Sequence, residues 1–139
     1  MREPRPGIPW SRSRVAKREQ YGTYMDSPEW YRRREQWATA WKDTHGTDIV
    51  CVICGETWTL HKGDLHHRSY DRLGQERVTD LLPMCRACHK KLHTIMESAS
   101  AWRRMGRVSA TDMIIARLAS QRPIIETLET ETQRGGVEL

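Results

Sequence analysis

Apolar residues recur at helical spacing in the first third of the chain. Trp30, Trp37 and Trp41 stand at positions i, i+7 and i+11, which lie on one face of an α-helix. Ser27 and Pro28 are typical of an N-cap and a first helical residue. The pattern predicts a helix that ends near residue 44 and packs its tryptophans in the core, rather than stacking them on nucleic-acid bases.

Short strands and turns are predicted after this helix. Residues 57–67 predict a β-hairpin that turns near Gly63. A polar loop is expected at residues 68–80, followed by a helix from Arg86 to Glu97. A capping-box pattern beginning at Ser109 predicts a last short helix. The order of elements predicts a small α+β fold.

The two ends of the chain differ in composition from the middle. Residues 1–26 contain three of the six prolines and several arginines, and they predict a flexible basic arm. Residues 121–139 are rich in Glu and Thr and predict an acidic, disordered tail. Residues 27–120 are therefore expected to form the folded domain.

Composition limits what holds this domain together and what it binds. Only 37 % of the 139 residues are hydrophobic and there is no Phe, so a core of this size needs an added staple. The net charge of +5 fits a polyanionic partner, although solubility alone would also explain it. The N-terminus lacks the apolar stretch of a signal peptide, and no apolar run has the length of a membrane span. We expect a cytoplasmic protein that does not bind membranes. We also expect that a bound metal ion, rather than disulfide bonds, stabilises its small core.

All four cysteines stand in two C-x-x-C pairs, Cys51/Cys54 and Cys85/Cys88. Four thiolates at such spacing predict a closed, structural Zn²⁺ site. The gap between the pairs, residues 55–84, is longer than the roughly 15–20 residues of a usual zinc ribbon, which indicates an inserted functional segment. A pair of redox dithiols is the alternative, but the βαβ context of such motifs is not seen.

Four histidines accompany these pairs. His89 and His93 are one helical turn apart and face the same side, so they can share a metal. The neighbours His66 and His67 face opposite sides of a regular strand, unless a bulge turns both to one site. Three neutral imidazoles leave a divalent cation with open positions, and a fourth histidine can take a proton from water. Together these groups are suited to hydrolysis of a phosphodiester.

The same segment resembles the HNH nuclease family over roughly residues 47–97. The residues that carry the resemblance are Cys51-Val52-Ile53-Cys54, Asp64-Leu65-His66-His67-Arg68, Asp80-Leu81-Leu82-Pro83-Met84-Cys85-Arg86-Ala87-Cys88-His89 and His93. The resemblance implies a ββα-metal core, in which a β-hairpin packs on a helix around one catalytic metal. It also implies zinc knuckles that hold a second, structural Zn²⁺, and flanking helices outside the core.

Position by position, the resemblance implies that His66, His89 and His93 bind the catalytic metal and that His67 is the general base. Asp80 occupies the place of the family's usual Asn, which braces the loop and holds the backbone of the base. An Asp side chain accepts hydrogen bonds but lacks the amide donor. The catalytic ion would be Mn²⁺, Ni²⁺, Zn²⁺ or Mg²⁺, and affinity favours the later transition metals.

DNA is the predicted partner, and nicking or cutting of DNA the predicted activity. Four basic side chains near the predicted site are candidates for phosphate contacts: Arg68, Arg72, Lys90 and Lys91. Two alternatives remain open. One is a non-catalytic zinc module that binds nucleic acid, and the other is an assembly factor that docks on a protein partner in a phage or restriction complex. A nuclease that works inside such a complex would combine them.

Overall fold

The protein is described here by a computed structural model, which covers residues 14–121. The acidic tail predicted at residues 121–139 lies outside the described residues except for its first position. The first half of the predicted arm lies outside them as well.

Five α-helices and a two-stranded antiparallel sheet make up the described range, which confirms the α+β class. In chain order the elements are α1 (Arg14–Met25), α2 (Pro28–His45), β1 (Gly63–His67), β2 (Leu81–Cys85), α3 (Arg86–Glu97), α4 (Ser100–Met105) and α5 (Arg107–Ser120). A short 3-10 turn, Val78–Asp80, leads directly into β2. None of the helices in this range is long and apolar enough to cross a bilayer.

The predicted tryptophan helix is confirmed as α2. The Ser27 hydroxyl accepts a hydrogen bond from the Trp30 N–H at 3.3 Å, and Gly46 ends the helix with a φ of 67°. Trp37 is buried, and its ring makes an edge contact with Trp58 at a centroid distance of 5.3 Å. Trp30 and Trp37 therefore belong to the core, as their helical spacing predicted.

The strand pairing differs from the predicted hairpin. β1 pairs with β2, placing His66 opposite Leu82 and His67 opposite Leu81. Residues 57–62 do not pair with β1, because they turn back instead: the Gly63 N–H donates to the Thr59 carbonyl at 2.8 Å. The expected turn at Gly63 is thus the start of a strand, and the long connection at residues 68–80 closes the hairpin.

Helices extend further at both ends than the sequence indicated. α1 occupies residues 14–25, which had been assigned to a flexible arm. Its Tyr24 is 1 % exposed and donates a hydrogen bond to Glu76, which ties the helix to the core. α5 begins at Arg107, directly after Gly106, so the capping box expected at Ser109 is wrong. The short helix α4 had not been predicted.

Two apolar clusters lie on opposite faces of the sheet. The cluster on the α2 side consists of Tyr24, Trp30, Trp37, Ala38, Ile49, Trp58, Leu65, Leu73 and Leu81. The cluster on the α3 and α5 side consists of Cys51, Ile53, Met84, Cys88, Leu92 and Ile114. The sheet is therefore covered on both faces, and successive residues of β1 enter different surroundings.

Gly63 is required by the close approach of Trp58. A Cβ at Gly63 would lie 2.0 Å from Trp58 Nε1, and this indole N–H donates to the Asp64 carbonyl at 2.8 Å. A clash at this point pushes the buried indole away from the start of β1.

We expect Gly63→Ala to lower the free energy of unfolding by about 1–3 kcal/mol, the range for overpacking a tight site. The matched control is Gly22→Ala in α1, where a Cβ meets nothing within 4 Å. This control should raise stability by about 0.5–1 kcal/mol, because Ala is the better helix former. Urea unfolding followed by circular dichroism measures both, and equal stability of Gly63→Ala and wild type would contradict the steric argument.

Candidate metal centres

The first knuckle is a tight loop that docks on β2. The Cys51 N–H donates to the Glu56 carbonyl at 2.8 Å, and the Val52 N–H donates to the Pro83 carbonyl at 3.0 Å. Gly55 follows the knuckle with a φ of 79°, a left-handed conformation that glycine adopts without strain. These bonds hold both cysteines of the first pair against the strand that leads to the second pair.

The second knuckle forms where β2 becomes α3. Cys85 ends the strand and caps the helix, because its Sγ accepts a hydrogen bond from the Cys88 N–H at 3.4 Å. The sulfur atoms of the four cysteines all lie within 4.8 Å of one another. The Cys54 and Cys85 sulfurs are 3.8 Å apart, well beyond the roughly 2.05 Å of a disulfide bond. The four cysteines are positioned to hold a metal ion.

The chemistry of this donor set fits a metal cation. Burial raises the pKa of the Cys54 and Cys88 thiols, since an apolar environment penalises an isolated thiolate. Four thiolates so close together would also repel one another. A cation among them removes both penalties, and a site of four sulfurs is the ligand set of structural zinc.

A second donor cluster joins β1 to α3. His66 Nδ1 lies 3.3 Å from His89 Nε2, which in turn lies 3.0 Å from His93 Nε2. The ligand atoms of all three histidines are within 4.8 Å of one another. His66 is fully buried, whereas the other two are half-buried. This group is likewise positioned to hold a metal.

Polar neighbours orient two of these imidazoles. His89 Nδ1 is 3.0 Å from Asp64 Oδ2, and His66 Nε2 is 3.0 Å from Thr111 Oγ1. Each ring therefore has one nitrogen engaged by the protein and the other turned toward the cluster. A carboxylate behind a histidine is the usual support of a metal ligand, because it fixes the tautomer and the ring orientation.

The surroundings also favour the neutral form of His66 and His93. Burial, followed by the nearby charge of Arg107, lowers the pKa of His66 to about 2. Burial and then the charge of His89 lower the pKa of His93. Metal binding requires the neutral imidazole, so His66 and His93 are in the binding form at neutral pH.

His67 points away from this cluster, as the alternation of a regular strand predicts. Its ring is 2 % exposed and stacks between Trp30 and Tyr70, at centroid distances of 5.0 and 5.4 Å. Its Nε2 lies 2.9 Å from Glu76 Oε2, and Tyr24 donates to the other carboxylate oxygen. The Nδ1 atom of His67 is the one buried side-chain nitrogen or oxygen in the described range that has no hydrogen-bond partner.

Asp80 braces the loop between the two strands. Its side chain accepts from the Arg77 N–H at 2.9 Å and from Arg72 Nε at 2.6 Å, with a second contact from the same guanidinium. Its backbone carbonyl accepts from the Arg68 N–H at 2.7 Å, next to His67. Burial works against the charged form, but the bonds from Arg72 and Arg77 lower the pKa of Asp80 below its ordinary value. The Asp80 carboxylate thus accepts from cationic and backbone donors, and the His67 carbonyl accepts its side-chain hydrogen bond from Arg107 rather than from residue 80.

The four candidate phosphate contacts fall into two kinds. Arg68 is bound to Asp112, with its Nε donating at 2.8 Å, and Arg72 is held by Asp80. Lys90 and Lys91 are exposed on α3, beside His89 in sequence. The two lysines are therefore available to a ligand, whereas both arginines already have carboxylate partners.

Sequence reasoning gave no role to four residues that the structure places around the histidines: Asp64, Glu76, Arg107 and Thr111. Asp64 was within reach of sequence analysis, because it stands two positions before His66 on the same face of β1. The other three approach from a loop and from α5, so no local pattern connects them with the site.

No match to this chain was found among protein-family models, curated proteins or solved structures. Function is therefore inferred from the residues of the two sites.

Separate metal sites predict separate losses on mutation. We expect wild-type protein to bind two metal ions, and both Cys88→Ser and His93→Ala to bind one. Cys88→Ser should also lower the midpoint of thermal unfolding by at least about 10 °C, because a structural zinc contributes several kcal/mol to folding. His93→Ala should unfold near the wild-type temperature. Elemental analysis and circular dichroism measure both properties, and loss of both ions from either variant would contradict independent sites.

Support of His89 by Asp64 predicts an effect on affinity without direct contact between Asp64 and the ion. We expect Asp64→Ala to weaken binding of Ni²⁺ at the histidine cluster about 10- to 100-fold, the usual cost of losing such a partner. Asp48→Ala removes the same charge from an exposed position and should change nothing. The dissociation constants are measured by competition with a chromophoric chelator, using protein whose cysteine site is filled with zinc. Equal constants for the two variants would show that Asp64 does not support the site.

Proposed function

We propose that the protein is a metal-dependent endonuclease of the HNH type, which hydrolyses phosphodiester bonds in DNA. The observation that carries this proposal is the convergence of His66, His89 and His93, which join a strand to the helix that follows the hairpin. We assign residues 47–97 as the ββα-metal core and Zn²⁺ as the ion of the four cysteines. The flanking helices α1, α2 and α5 complete the proposed site.

His66, His89 and His93 are the proposed ligands of the catalytic ion, which would be Mn²⁺, Ni²⁺, Zn²⁺ or Mg²⁺. Such an ion supplies Lewis-acid chemistry, by which charge developing on the phosphate and on the leaving oxygen is stabilised. Asp64 and Thr111 fix the ring orientations of His89 and His66, and the low pKa of His66 keeps its lone pair free at neutral pH.

His67 is the proposed general base. A carboxylate oxygen only accepts hydrogen bonds, so the contact with Glu76 places the proton of a neutral His67 on Nε2. Nδ1 then carries the lone pair, and it is the atom without a partner in the described range. Accepting a proton there charges the imidazole, and the adjacent Glu76 stabilises that charge, as in other carboxylate–histidine pairs. Asp80 holds the neighbouring backbone through the Arg68 N–H.

One observation favours a second candidate function. His67 points away from the histidine cluster and is buried between aromatic rings, which is typical of a packing residue, whereas a general base has to reach the attacking water. A zinc-containing module that binds nucleic acid without cutting it would need the cysteines and the basic surface but no accessible base. Docking of such a module in a phage or restriction complex belongs to the same alternative.

DNA is the proposed substrate because the chain carries a net charge of +5 and because α3, the helix that carries His89 and His93, exposes Lys90 and Lys91. We propose that these two lysines contact backbone phosphates. Arg68 and Arg72 would add to the positive field, while their fork-shaped ends remain engaged with Asp112 and Asp80.

Cleavage of supercoiled plasmid tests the proposal. Protein stripped of the histidine-bound ion is given Mg²⁺, Mn²⁺, Ni²⁺ or Zn²⁺, and we expect at least one ion to restore nicking. His67→Ala should lose activity by about 100- to 10,000-fold, the usual contribution of a general base, with its metal content unchanged. His61→Ala is the control, because His61 is exposed and should be dispensable.

The outcomes separate the candidates. Plasmid that is retarded on a gel but never cut with any of the four ions would support the binding module and overturn the nuclease. Cleavage by His67→Ala at the wild-type rate would leave the nuclease standing and overturn the assignment of the base.

A further inference from the structure

Arg107 is a half-buried cation at the start of α5, and no acidic side chain among residues 14–121 pairs with it. Its Nε donates to the His67 carbonyl at 2.8 Å, and its guanidinium lies 4.2 Å from the centre of the Tyr70 ring. The remaining contact is a weak one, from Nη1 to Met96 Sδ at 3.9 Å. The ion pairs of the described residues do not include Arg107, whereas Arg33, Arg68, Arg72 and Arg86 each have a carboxylate within 4.0 Å.

This charge lies beside the histidine cluster. Its Nε bonds to the carbonyl of His67, the residue after His66, and its Nη1 contacts Met96, which follows His93 by three residues on α3. A cation at this place disfavours a second cation among the same imidazoles. An anion that contacts both would remove the repulsion and supply the counter-charge that Arg107 lacks among the described residues.

The fixed geometry of Arg107 suits a phosphate. A guanidinium binds phosphate oxygens through paired N–H groups, and these bonds are stronger when the group is held in place and partly desolvated. The His67 carbonyl and the Tyr70 ring hold Arg107 from two directions, and among the described residues its two Nη groups make only the weak contact with Met96. Lys90 and Lys91, being flexible and exposed, lack this fixed position.

We propose that Arg107 binds the phosphate group that enters the His66–His89–His93 site. This inference deepens the proposed nuclease function and rests on it: Arg107 selects a phosphodiester anion at the place where the bond is cleaved. It also gives α5, which lies outside the segment at residues 47–97, a direct contact with the substrate.

Binding of inorganic phosphate tests this role without requiring cleavage. Protein with zinc at the cysteines is loaded with Mn²⁺, and the ³¹P signal of added phosphate broadens when phosphate binds near that ion. We expect Arg107→Gln to weaken phosphate binding by at least about tenfold, as expected for loss of a charge-assisted bidentate contact. Its affinity for Mn²⁺, measured from the free-ion signal in electron paramagnetic resonance, should be equal to or higher than that of wild type.

Two further variants and a folding check complete the design. Arg107→Lys keeps the positive charge but loses the paired N–H donors of the guanidinium, so it should give intermediate phosphate affinity. Arg104→Gln removes an exposed charge from α4 and should bind phosphate as wild type does. Zinc content and thermal unfolding show that each variant is folded.

Equal phosphate affinity in wild type and Arg107→Gln would overturn the role of Arg107 and leave the nuclease proposal intact. Parallel loss of Mn²⁺ and phosphate binding in both Arg107 variants would show that Arg107 maintains the shape of the site, and would also overturn the proposal. A folded wild-type protein that binds no divalent ion at the histidines would remove the proposed function and this inference together.

Discussion

The alternation of side chains along β1 is the constraint on which the rest of the structure depends. Successive residues of a strand face opposite sides, so the adjacent His66 and His67 cannot share one environment. His66 joins the cluster with α3, whereas His67 stacks on Trp30 from α2. Because both faces of the sheet are covered, each histidine is buried among different partners and has a different hydrogen-bonding task.

The cysteine cluster maintains this arrangement. It links the loop before β1 to the junction of β2 and α3, and that junction fixes where His89 and His93 begin their helical turn. The two clusters therefore both draw ligands from α3, although they use different donor atoms. In a chain with so few apolar residues, a metal ion held by the four cysteines would add order that the apolar core alone does not supply.

Helices outside the central segment supply much of the chemistry around the histidines. Thr111 and Arg107 come from α5, and Tyr24 comes from α1 through its bond to Glu76. A site assembled from distant parts of a chain depends on the packing of the whole domain. A substitution in the contact between α3 and α5 is for that reason able to change the site without touching a ligand.

The sequence by itself determined the two donor sets, the helix from Pro28 to His45 and the helix from Arg86 to Glu97, because C-x-x-C spacing, i+4 spacing and helix caps are local patterns. For the two neighbouring histidines it left two possibilities, opposite faces of a regular strand or one shared site at a bulge, and the regular pairing of β1 with β2 decided for opposite faces. Only the tertiary structure decided that β1 pairs with β2 rather than with residues 57–62, since β1 and β2 are separated by a 13-residue connection and their pairing is not a local pattern. The partners of the histidines, Glu76, Thr111 and Arg107, were decided in the same way. They are 9, 45 and 40 residues from the groups they contact, and no local spacing encodes a hydrogen bond across such separations.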